Sequence, residues 1–183
     1  MSSYKFRVLI DTEKSEEIFR DIIISSTENF ETFYQSILAA FEWSGQELAS
    51  FYVSNESWDK GHEIALMDMQ LSDSLDSPSI MKETIIQDLV SSSNQRFVLV
   101  YDFLRMWCFM IELIEVIQED FEGPMLDLSV GIAPLEDSKE IDFSNDNFSG
   151  GSDLGNDIDD IFSEFSDDDD EFGGFENIDD MDI

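Results

Sequence analysis

The sequence predicts an α+β fold: a mainly antiparallel sheet with one main helix packed on it, followed by a disordered acidic tail. Three observations carry that reading. Residues 4–11 alternate with a two-residue period, and further short apolar strand-like runs recur as far as Val116. One stretch, Phe30 to Phe41, repeats instead at helical spacing. Half of the formal net charge of −34 falls in residues 137–183, which hold a single lysine. The domain is placed at residues 1–136 and the tail at 137–183.

The elements follow in order. In residues 4–11, Tyr4, Phe6, Val8 and Ile10 alternate with Lys5, Arg7 and Asp11, the pattern of a half-buried strand, with Leu9 as the exception. Residues 17–24 supply a second strand, and the polar segment between them is short enough for a hairpin. Ser26 and Thr27 both offer a helix N-cap; with Thr27 as the cap, Glu28 and Glu31 fall in the first turn, where the helix dipole favours negative charge. Phe30, Phe33, Tyr34, Ile37, Leu38 and Phe41 form the buried stripe.

Residues 50–54 and 62–66 read as short strands, and 67–82 as an irregular crossing. Residues 84–90 read as one helical turn. Residues 96–103 and 107–116 read as strands of a hairpin, and 126–130 as an edge strand or helix. The order of the first seven elements matches that of a β-grasp, an order that other α+β topologies share.

The charge excludes some function classes. Binding to phosphate backbones draws on Lys and Arg displacing counterions, so direct nucleic-acid binding is disfavoured, as are anionic membranes. The most apolar window, Met106 to Ile117, is too short to span a bilayer and carries Glu112 and Glu115. The N-terminus lacks the apolar core and cleavage site of a signal peptide. A single cysteine forms no intramolecular disulfide, which fits a reducing compartment. The expected location is cytoplasmic.

Ala40–Trp43 (AFEW), the helix before it, Tyr101–Phe103 (YDF) leading to Trp107, and Ile111–Leu113 (IEL) together carry a signature. From residue 4 to residue 117 the chain resembles the plasmid pRiA4b ORF-3-like family, also labelled insertion-sequence passenger proteins. It further resembles a branch with long acidic C-termini found in Bacteroidetes-type bacteria. The family pattern reads AFGW, a His soon after, then YDFGDxWxH. Here Glu42 stands where Gly is usual, Glu47 lies near the usual His, Leu104 and Arg105 replace Gly-Asp, and Phe109 replaces the second His. The apolar skeleton is kept, while the polar groups that could form a metal or acid–base site are mostly replaced. The resemblance therefore implies a fold, with Phe41, Trp43, Tyr101, Phe103 and Trp107 buried together, and no settled activity.

Individual candidates have structural readings. His62 is the only histidine and starts a strand, so a multi-histidine metal site is excluded. Cys108, between Trp107 and Phe109, reads as a buried small hydrophobe rather than a reactive thiol. Asp102 ends an apolar strand and suits a turn acceptor. Asp142, Ser144 and Asp146 have alternating ligand spacing, but Asn147 sits where a calcium loop needs Gly. No catalytic, cofactor-binding or metal residue is assigned, and no cofactor is expected.

The tail carries the candidate partner-binding residues. Ile158, Ile161, Phe162 and Phe165 fall at helical spacing, and Phe172, Phe175, Ile178 and Met181 recur every three residues. Between them run Asp167, Asp168, Asp169, Asp170 and Glu171. Aromatics spaced in an acidic field suit a groove ringed by Lys and Arg. The expected function is a non-enzymatic interaction module whose acidic tail binds a basic protein partner. The alternative is a mobile-element accessory protein that acts on a DNA-binding partner by nucleic-acid mimicry. High charge of one sign opposes ordering of the tail, so amide exchange across residues 140–183 is expected to be fast. Strong protection there in the isolated protein would contradict this reading.

Overall fold

A computed structural model of the chain describes residues 1–68 and 77–141. The expected tail disorder beyond residue 141 lies outside the described residues. The compact unit that contains the described residues is Met1–Asp142.

Strands β1 (Ser3–Ile10) and β2 (Phe19–Ser25) form the expected hairpin, with Ser3 opposite Ser25 and Leu9 opposite Phe19. Helix α1 (Phe30–Phe41) follows, then β3 (Ala49–Ser54), β4 (Glu63–Ala65), β5 (Ser79–Ile80), a 3-10 turn at Ile86–Leu89, β6 (Arg96–Tyr101), β7 (Trp107–Ile117) and β8 (Met125–Val130). Among the described residues, eight strands make one sheet in the order β5-β4-β3-β6-β7-β1-β2-β8. Only β4 and β5 pair in parallel. β1 lies between β2 and β7 and is antiparallel to both. Among the described residues the architecture is α+β: mostly sheet, with one α-helix on one face.

The helix starts two residues later than the sequence indicates. Asn29, not Thr27, is the N-cap, and its Oδ1 accepts the Thr32 N–H at 2.8 Å. Thr27 instead shares a hydroxyl hydrogen bond with Ser25. Tertiary structure made the choice. The Phe30 N–H donates to the Thr84 carbonyl at 3.0 Å and the Glu31 N–H to the Met81 carbonyl at 3.2 Å. Residues 81–86 therefore satisfy helix-end donors that would otherwise be orphaned. The segment 67–82 is not wholly irregular either, because Ser79–Ile80 pair with β4; residues 69–76 lie outside the described residues.

The helix buries Phe30, Phe33, Tyr34, Ile37, Leu38 and Phe41, the expected stripe. Phe33 stacks on Phe51 at 5.6 Å and lies 4.8 Å from Phe6, while Phe30 meets Phe51 and Phe97 edge-on. Fully burying each such ring contributes roughly 1.5–3 kcal/mol. The helix ends at Glu42, held at φ 60 with its N–H on the Ala39 carbonyl; the Trp43 N–H returns to Leu38. That is a left-handed cap, which glycine adopts without strain. It explains why glycine is usual at this place in the pattern.

Strand β6 stops at Tyr101, two residues short of the expected end. Asp102 turns the chain with φ 58, and its Oδ1 accepts the N–H groups of Leu104 at 3.0 Å and Arg105 at 3.2 Å. The turn role of Asp102 holds. The expected burial of Phe103 does not, since its side chain is 44% exposed. Once the strand has ended, its alternation no longer aims Phe103 at the core. Cys108 needs a second correction: it is only partly buried. Trp107 and Phe109 face the core, so the residue between them faces the other side of the sheet. Burial there pushes its thiol upward, against nearby Lys60 and Lys139.

The far face carries paired charges. Arg7 holds Asp21 through two hydrogen bonds at 2.9 and 2.8 Å, and Lys5 reaches Asp127 at 2.8 Å. Among the described residues no helix is long and apolar enough to cross a membrane.

Replacing Trp107 by Ala is expected to cost roughly 3–5 kcal/mol, the range for a buried aromatic. Phe103→Ala should stay within about 0.5 kcal/mol, as surface changes do. Denaturant unfolding of the two variants checks the contrast.

Candidate functional site

The AFEW and YDF-to-Trp segments meet at one end of the core. Helix α1 delivers Phe41, its cap delivers Trp43, β6 ends on Tyr101 and β7 begins on Trp107. Tyr101 and Trp107 are direct cross-strand partners. Trp43 lies 5.0 Å from Trp107 and 5.4 Å from both Tyr101 and Phe109, ring centre to ring centre. Phe109, where the pattern has a histidine, is fully buried and packs edge-on against Phe41 at 5.0 Å.

These rings carry polar tips, and buried tips need partners. The partners come from the segment after β8. Gly131 turns it with φ 79; a Cβ there would lie 2.9 Å from Ile18 and 3.0 Å from the Glu17 carbonyl, so glycine is required. The Trp43 Nε1–H then donates to the Pro134 carbonyl at 2.9 Å, and the Trp107 Nε1–H donates to the Glu136 carbonyl at 2.9 Å. Two indoles thus read the carbonyls of Pro134 and Glu136 in one strap, which turns at 135–138 through the Ser138 N–H to Leu135 carbonyl bond.

The Glu136 side chain completes the arrangement. Its Oε1 accepts from the Tyr101 hydroxyl. Its Oε2 accepts from the Ser44 N–H at 3.0 Å and the Ser44 hydroxyl at 2.8 Å, and the Gly45 N–H also favours the charged form. Tyr101 in turn accepts from the Glu47 N–H at 3.3 Å. Farther along, Lys139 Nζ donates to the Met106 carbonyl at 2.8 Å and lies 5.4 Å from the Trp107 ring centre. Arg105 Nε donates to the Lys139 carbonyl at 3.0 Å while its Nη1 pairs with Asp102 at 3.1 Å.

The electrostatics follow from this geometry. Burial works against the Glu136 carboxylate, but the hydrogen bonds from Tyr101, Ser44 and Gly45 outweigh it and hold its carboxyl below the ordinary value. Burial and the Glu136 bond both push Tyr101 upward. Burial, with Glu136 nearby, pushes Tyr34 up to about 12. The Tyr34 hydroxyl is buried with no hydrogen-bond partner among the described residues, and a Cβ on Gly45 would lie 3.9 Å from it. The site is a carboxylate receptor joined to a backbone-reading aromatic wall, and the chain's own strap fills it.

Sequence reading found the wall and missed the receptor. Ser44, Gly45, Glu136 and Lys139 were not singled out. The available signal was the requirement that two buried indoles and a phenol find acceptors. His62 is placed as expected at a strand end, with Nε2 2.6 Å from the Ser79 hydroxyl. Among the described residues no group of three or more His, Cys, Asp or Glu could hold a metal. The candidate partner-binding residues Phe162, Phe165, Phe172, Phe175 and Asp167, Asp168, Asp169 and Asp170 lie outside the described residues, as do the calcium-like fragments from Asp142 onward.

Residues 2–149 match the family described as plasmid pRiA4b ORF-3-like protein, and the chain belongs to that family. Comparison with curated proteins finds no match. Among solved structures the chain is similar to a crystal structure of a protein of unknown function from Methanosarcina mazei Go1. The two are 21% identical, with 75% of each chain covered and a TM-score of 0.63. That likeness shows the fold.

Because the folded carboxyl of Glu136 titrates below its ordinary 4.5, the receptor's stabilisation is fully present above that value. It is lost as pH falls through the lower folded value. Glu136→Gln should remove about 1–2 kcal/mol at neutral pH, a charge-assisted network discounted for solvent access. The indole N–H resonances of Trp43 and Trp107, followed on acidification, test this. Identical acid transitions in wild type and variant would contradict it.

Proposed function

We propose that this member of the plasmid pRiA4b ORF-3-like family is a non-enzymatic protein-interaction module whose acidic C-terminal segment binds a basic protein partner. The observation that carries the reading is the strap. The polar groups of the motif cluster are engaged by residues 134–139 of the same chain, which is where the acidic segment begins. The domain acts as an anchor for the root of that segment. Charge supports the same reading: residues 140–183 contain no Lys or Arg at all. The long acidic C-terminus also fits the branch of the family that the sequence resembles.

Charge and aromatic area act on different rate constants. The acidic field steers a basic partner over about 10 Å at 0.1 M salt, so added salt slows association. The aromatics act after contact, and each buried Phe contributes on the order of 1.5–3 kcal/mol before ordering costs are subtracted.

Pull-down with and without residues 137–183 identifies the partner, and DNA-binding proteins in the catch would mark the nucleic-acid mimic. Replacing Phe162, Phe165, Phe172 and Phe175 by Ser, which leaves the net charge at −34, should then speed dissociation from that partner. Equal affinities at one salt concentration would eliminate aromatic docking and leave a polyanion.

A further inference from the structure

Among the described residues, strand β8 ends the sheet. There it pairs with β2 on one side only, so its other edge presents the backbone donors and acceptors of an end strand. At the opposite end of the sheet β5 is two residues long, too short to serve as a template. Five of the six β8 residues are exposed. They include Met125 at 41%, Leu126 at 49% and Leu128 at 43%. Natural edges are usually blunted by Lys, Pro or a free charge. Here the charge within the strand, Asp127, is held by Lys5 at 2.8 Å.

Beside this edge lies a groove of about 470 Å³ between β8 and α1, lined by Ile22, Ala39, Ala40, Pro124, Met125 and Leu126 among others. The alanines keep it open, and Leu126, opposite Ile22 in register, forms its β8 wall. Its surroundings are negative. Glu119, Asp120 and Glu122 in the β7–β8 connection are exposed, and none forms an ion pair among the described residues. Arg20 on the neighbouring strand β2 is 6% exposed and gives its guanidinium to the carbonyls of Phe19, Ala40 and Val130, and Lys5 is held by Asp127.

We propose that the open edge of β8 and the adjoining groove are a docking surface for an extended partner segment that alternates apolar and basic side chains. Its backbone adds to β8 as a further antiparallel strand. One apolar side chain enters the groove between Leu126 and Ala39, and its Lys or Arg side chains face Glu119, Asp120 and Glu122. Strand addition supplies affinity through main-chain bonds and specificity through alternate side chains. A second copy of the chain fits poorly, because each copy carries a net charge of −34. The partner's positive charge is shared with the proposed function and in that respect rests on it; the surface itself is separate from the acidic segment.

The test titrates the full chain with a short capped peptide alternating valine and lysine, at about 0.15 M salt to screen nonspecific attraction. Amide shifts should concentrate on residues 119–130 and on Ala39 and Ala40. The double variant Met125→Ser with Leu126→Ser alters exposed side chains and so keeps the fold; it should weaken the peptide about tenfold, as loss of partly buried apolar area does. The Phe-to-Ser variant of the acidic segment should bind the peptide as wild type does, so this surface and the tail can fail independently. Shifts confined to residues 137–183, or equal peptide affinity in wild type and the double variant, would overturn the proposal. So would a concentration-dependent dimer of the free protein that the double variant abolishes.

Discussion

Three buried polar tips organise this protein. The indole N–H groups of Trp43 and Trp107 and the hydroxyl of Tyr101 sit at one end of an otherwise apolar core, where an unmade hydrogen bond costs about 1–3 kcal/mol each. The chain meets the requirement with the segment after β8, whose Pro134 and Glu136 carbonyls and Glu136 carboxylate accept all three. The path of the last described residues is thus dictated by groups about 30 to 90 positions earlier in sequence.

The same region concentrates left-handed backbone. Glu42, Gly45, Asp102 and Met106 all have positive φ. Each marks a place where the chain must turn within a residue or two to keep its aromatic neighbours in the cluster. Glu42 turns α1 into Trp43, and Asp102 turns β6 toward Trp107. Three of the four are not glycine, so they are held there by their surroundings. Asp102 shows how: its carboxylate gathers two backbone N–H groups and the Arg105 guanidinium.

The two ends of the sheet differ in kind. At the β5 end, pairing dies out in a two-residue strand. At the β8 end, among the described residues, a full strand stops with its apolar side chains exposed beside acids that form no ion pair.

The sequence by itself determined the elements whose signal is local. Alternation placed β1, helical spacing placed α1, and apolar β-branched runs placed β2, β6 and β7, because these patterns follow from local backbone geometry; residues 126–130 stayed open between strand and helix. Composition located the acidic segment, and the AFEW and YDF motifs located the aromatic wall. What depended on distant groups was decided only by tertiary structure. The N-cap moved from Thr27 to Asn29 because residues 81–86 dock against the helix end. Phe103 left the core because Asp102 ended the strand. Cys108 turned to the far face because Trp107 and Phe109 took the near one. The receptor for Glu136 was illegible for the same reason. Ser44, Gly45, Tyr101 and Glu136 share no spacing, and they become one site only when the strap folds back to satisfy the buried rings.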